Sequence, residues 1–157
     1  MKLAADFTIA LPSSYPADLH DAVARITHFL HADQLGRLVP GRGASDTAAL
    51  AHAGALHALD VALAHGTPAT HGIAAETLRA LGTADEAYNL TVPASGRATL
   101  TARSALGLLR GLTTFSQMWY TYEKNVYSLS APVHIQDKAA FVSRLPALYA
   151  HGSYVRS

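Results

Sequence analysis

Nine histidines in 157 residues are the first feature with chemical potential. Neutral imidazole is a common metal ligand, and a helix brings residues three or four apart onto one face. His28 and His31 have that spacing; so do His57 and Asp60, with His52 and His65 nearby. Bundle metal sites take such groups from facing helices, projecting inward. One reading is therefore a small histidine-containing helical-bundle metal-binding protein or enzyme using His52, His57 and Asp60. Against it, the chain has no His-Glu-x-x-His sequence and no cysteine, and His28 falls opposite the apolar positions Leu19, Val23, Ile26 and Leu30. The leading reading takes no metal and no cofactor.

The carboxyl-terminal half carries a different chemistry. Nine of the twelve aromatic residues lie at or beyond Tyr88, together with Arg97, Arg103, Arg110 and Lys124. Guanidinium and ammonium groups neutralise phosphates, and aromatic faces stack on unpaired bases. Tyr120 and Tyr127 lie off the apolar stripe of their segment and are the candidate stacking residues. Residues 1–87 hold five Lys/Arg against nine Asp/Glu, net −4, whereas residues 88–157 hold seven against two, net +5. Opposite halves can meet head to tail between subunits or neutralise each other within one fold. The pI of 8.1 is below the value above 9 typical of nucleic-acid-binding domains.

Other signatures are missing. There is no Gly-x-Ser-x-Gly elbow, no Walker A sequence and no Gly-x-Gly-x-x-Gly. Gly41-Arg42-Gly43 reads as a loop, and Asp85-Glu86 as helix-start carboxylates serving the macrodipole. Pro40 to Ser45 running into Ala51-His52 resembles the loop and first ligand helix of the DinB-like metal bundles. That family expects paired histidines on a later helix, where this chain has His134 and His151, seventeen residues apart, and no family is assigned.

These groups need elements to hold them. Leu3, Ala5, Phe7, Ile9 and Leu11 alternate with Lys2, Asp6 and Thr8, which predicts an amino-terminal strand. Pro16 opens a helix through Leu30, with Asp21 and Arg25 as an i,i+4 pair. An Ala-rich helix is expected over 47–64 and a short one over 72–81. Residues 88–102 read either as a hairpin or as a short helix, with the helix slightly preferred. Ala105, Leu108, Leu112, Phe115, Trp119 and Tyr122 make one apolar stripe, predicting a long central helix over about 100–125. Residues 126–135 look extended, and a last helix runs from Asp137 to about 150.

The expected fold is thus mostly α with a minor β component, a single domain of four or five helices around the 100–125 helix. The chain is too apolar for disorder, and it has no run approaching the ~20 apolar residues of a membrane span and no signal-peptide pattern. The expected location is cytoplasmic or intracellular. The expected function is a non-enzymatic structural or assembly protein that forms homo-oligomers without contacting a membrane. Its basic aromatic half would meet an anionic partner, with nucleic acid the candidate, through Arg97, Arg103, Arg110, Lys124, Tyr120 and Tyr127.

Overall fold

The computed structural model describes residues 1–32, 35–67, 71–79 and 83–138. Its elements run β1 (Lys2–Ala10), α1 (Ala17–Ala32), α2 (Arg42–Ala49), β2 (Ala55–Leu63), α3 (Ile73–Thr77), β3 (Tyr88–Val92), β4 (Gly96–Ala102), α4 (Ala105–Ser116), β5 (Tyr120–Tyr122), β6 (Asn125–Tyr127) and β7 (Val133–Asp137). The seven strands form one sheet in the order β5-β6-β1-β2-β4-β3-β7. The central β1, β2 and β4 are parallel, and the outer pairings are antiparallel. Helix and strand occur in equal measure, so the expectation of a mostly α fold is corrected to a mixed α/β architecture.

Each wrong assignment has a physical cause. The Ala-rich stretch 47–64 holds the end of α2 and then strand β2. Alanine favours helix intrinsically, but Ala58 is buried in the sheet, and tertiary packing overrides a preference of under 1 kcal/mol. The 100–125 segment divides into the end of β4, helix α4, and the β5–β6 hairpin. Its stripe is real over Ala105–Phe115. Trp119, also in the core, follows the helix end at Ser116, and the chain then reverses into β5. Residues 88–102 are a hairpin: Tyr88, Leu90 and Val92 point inward while Asn89 and Thr91 are exposed. Gly96 at φ +91° begins β4, a left-handed backbone that glycine adopts without penalty. The predicted amino-terminal strand and first helix are present. The helix expected beyond Asp137 falls mostly on residues outside the described ones.

The sheet has two unlike faces. Phe7, Leu59, Val61, Leu90, Ala98 and Leu100 build a core with Leu19, Leu30, Leu108, Leu112 and Phe115 from the helices and Trp119 from the turn after α4. Asp6, Thr8, His57, Thr91, Arg97 and Thr99 are exposed on the other side. Among the described residues no helix is long and apolar enough to cross a membrane.

Helix α4 is the element nearest the sheet. Ser104 caps it, its side chain accepting from the Gly107 amide at 2.8 Å. Gly107 and Gly111, one turn apart, let the backbone descend between β3 and β4. A Cβ on Gly111 would overlap Leu100 Cδ1 and lie 3.0 Å from Tyr88 Cδ2. On an open helix face, leucine would be favoured over glycine by about 0.8 kcal/mol. Here Gly111→Leu should instead destabilise by about 1–3 kcal/mol through overpacking. Thermal and urea melts of the two proteins measure the sign.

Candidate binding groove

Strands β2 and β4 run side by side and finish together, Leu63 opposite Ala102. The Ala64 amide extends the pairing by donating to Ala102 O at 2.7 Å. Open α/β sheets place their ligands at the carboxyl ends of parallel strands, where loops diverge. A cavity of about 520 Å³ lies there, lined by His65, Thr67, His71, Glu76, Arg79, Thr83, Asp85, Arg103 and Ser104. A smaller one of about 360 Å³ shares Ala64 and Arg103 and reaches Asp137 and Lys138.

The carboxylates of this groove serve the backbone. Glu76 is 4% exposed, and its Oε2 accepts from the Leu106 amide at 2.8 Å, satisfying an orphan donor in the first turn of α4. Asp85 Oδ1 accepts from the Ala87 amide at 3.1 Å, while Oδ2 stands 3.9 Å from Arg103 Nε. The Ser104 hydroxyl donates to the Asp85 carbonyl. On the far side of α3, Asp18 Oδ2 accepts from the Ala74 amide at 3.1 Å, tying α1 to the start of that short helix. Glu76 and Asp18 thus fix α3 between α4 and α1 and set the groove wall.

A second polar cluster, which sequence reasoning missed, surrounds the buried Asp46. Arg37 Nε and Arg42 Nε each approach its carboxylate at 3.2 Å, and the Tyr127 hydroxyl donates to it at 3.1 Å. Arg37 lies 4.5 Å over the Tyr120 ring. Burial raises the Tyr127 phenol above its ordinary pKa, and the bond to Asp46 adds to the rise. The Arg42–Asp46 spacing of four was the only signal of this cluster in the sequence.

The residues assigned to nucleic acid do not form one surface. Arg97 lies on the outer sheet face, its Nε donating to Asp60 Oδ2 at 2.8 Å. Arg103 is on the groove rim, and Arg110 Nε donates to Glu86 Oε2 at 2.8 Å. Lys124 sits in the β5–β6 turn; Tyr120 is half-buried under Arg37, and Tyr127 is fully buried. Three of these cations pair with acids from the other half of the sequence, so among the described residues the two halves offset each other within the fold. The alternative ligand set is also dispersed: His52 follows α2, His57 Nδ1 meets Asp6 Oδ1 at 3.2 Å, and Asp60 is held by Arg97. Among the described residues no group of three or more His, Cys, Asp or Glu stands close enough for a metal.

Comparison with known proteins adds three findings. A family model described as "beta-acetyl hexosaminidase like" matches residues 13–118, more than half of the chain. No curated protein matches. Among solved structures, the chitobiase of Flavobacterium johnsoniae superposes with a TM-score of 0.55 at 22% identity, covering 90% of this chain and 19% of its own. At that identity the likeness is one of fold. This chain therefore spans about a fifth of the chitobiase's length. The family match overturns the expected assembly protein with a nucleic-acid-binding face and points to a hexosaminidase-like domain.

Two measurements check the site's construction. Glu76→Ala leaves the buried Leu106 amide without its carboxylate and should cost about 1–3 kcal/mol, whereas Glu76→Gln, which keeps an acceptor, should cost less. Urea midpoints rank the pair. The hydrogen bond from Arg97 holds the Asp60 carboxyl below its ordinary range, against a smaller opposing effect of burial and with added help from the Arg97 charge. A depressed carboxyl contributes stability above its unfolded pKa of about 3.9 and loses it as pH falls through the lower folded value. Arg97→Gln should therefore flatten the stability loss below about pH 4, and only modestly, since the pair is solvent-exposed. Unfolding titrations between pH 6 and about pH 2.5 read the difference.

Proposed function

The chain belongs to the beta-acetyl hexosaminidase like family, and we propose that it is an accessory α/β domain of a hexosaminidase-like protein rather than the part that cleaves the sugar. One observation carries this reading. The shared fold takes in nearly all of this chain but only 19% of the chitobiase, leaving most of that longer protein outside the match.

The chemistry of the groove agrees. Glycoside hydrolysis generally needs a carboxylic acid to protonate the leaving oxygen and a second group to stabilise or attack the anomeric carbon. In glycoside hydrolase family 20 a group of the substrate itself takes the second role. Either scheme requires an acid free to exchange its proton with the sugar. Glu76 is buried against a helix amide, and Asp85 caps the Ala87 amide beside Arg103. Asp46, Asp60 and Glu86 are each held by arginine. These carboxylates build structure, and the module they brace has one polar sheet face.

The folded chain alone should release no p-nitrophenol from the N-acetyl-β-glucosaminide above the buffer rate, with circular dichroism verifying its fold. Turnover that disappears in the Glu76→Gln, Asp85→Asn double variant would overturn the accessory reading and place catalysis in this groove.

A further inference from the structure

The groove has more cationic capacity than its architecture uses. Among the described residues, four basic or imidazole side chains line it: His65, His71, Arg79 and Arg103. The two acids among its described lining residues are committed, Glu76 to the Leu106 amide and Asp85 to the Ala87 amide. The Asp85–Arg103 pair is loose at 3.9 Å, and the Arg103 side chain is 78% exposed. Arg79 and His65 have no side-chain hydrogen bond or ion pair among the described residues. Both guanidiniums therefore keep donors for something else. Planar guanidinium forks match the oxygens of phosphate, sulfate or carboxylate two at a time.

The amino-terminal amides of α4 do not supply this capacity, because Glu76 and Ser104 already occupy them. The side chains of Arg79, Arg103 and His65 do. The location at the carboxyl ends of β2 and β4 is independent of charge and is where sheets of this kind hold ligands. Size narrows the class. A volume of about 520 Å³ falls within the range of small-molecule pockets and exceeds what an inorganic anion fills. Among the described residues no aromatic ring lines the cavity, so none of them grips a ligand by stacking. The Thr67 hydroxyl and the ring nitrogens of His65 suit a hydroxylated frame.

We propose that this groove binds a small anionic ligand of monosaccharide size, with its phosphate, sulfate or carboxylate group held between Arg79 and Arg103 and its hydroxyls facing Thr67 and His65. The proposal does not depend on the accessory role, since a groove of this kind would bind such a ligand beside any catalytic partner.

Titration calorimetry on the whole chain tests it, with four probes: glucose 6-phosphate, glucuronate, inorganic phosphate and neutral N-acetylglucosamine. At least one of the two anionic sugars should bind in the submillimolar range, more tightly than inorganic phosphate and far more tightly than the neutral sugar. The Arg79→Gln, Arg103→Gln double variant should weaken that binding at least about tenfold. Both side chains are exposed, so an unchanged melting temperature checks that the variant folds; Lys124→Gln, remote in the β5–β6 turn, should bind as the parent does. Binding of neither anionic sugar at 10 mM would overturn the proposal. So would equal affinity for the neutral sugar or for phosphate alone, or an affinity indifferent to the double variant.

Discussion

The descent of α4 onto the sheet governs much of what is built around it. A helix normally stands off a sheet by the thickness of the side chains between them. Gly107 and Gly111 remove those side chains on one stripe, so that Leu100 and Tyr88 meet the helix backbone itself. Once α4 is fixed at that depth, its first turn arrives where Glu76 can reach the Leu106 amide, and α3 is drawn to a definite place. Asp18 then holds α3 to α1 from the opposite side. The groove is what remains between the strand ends and this fastened corner.

Charge follows the same geometry. The acidic first half and basic second half are not two surfaces, because β2 and β4 pair in parallel and bring Asp60 beside Arg97. The segment before β3 likewise carries Asp85 and Glu86 to Arg103 and Arg110. Among the described residues, part of the sequence-level asymmetry becomes a set of local ion pairs. Arg79 is left out of that pairing, and Arg103 is only loosely within it, which is why both matter in the groove.

The amino-terminal strand and first helix were legible because each shows a single period uninterrupted by breakers. Strands β2 and β4 also alternate, with Leu59, Val61 and Leu63 inward beside Asp60, and Ala98 and Leu100 inward beside Arg97 and Thr99. Their alanines mimic a helix, and an irregular register between Leu56 and Ala58 breaks the alternation at His57. The α4 stripe ran on through Trp119 because the core accepts a large ring from the turn as readily as from a helix. The groove itself had no local signature. Its walls come from residues 64–67, 71–79, 83–85 and 103–104, and only the topology makes neighbours of them.

Strand β1 sits inside the sheet, with β2 on one edge and β6 on the other, and Lys2 pairs with Tyr127. The strand that comes first in this fold therefore waits across more of the chain than any other described strand before both its edges are satisfied. Its backbone donors and acceptors wait first for β2, more than forty residues later, and then for β6, more than a hundred residues later. Pairings so distant in sequence pay loop-closure entropy before they return any energy, and they slow folding. During synthesis this fold carries an open, half-apolar strand edge until nearly all of its described sequence has emerged, and in that interval another nascent chain can pair with it instead.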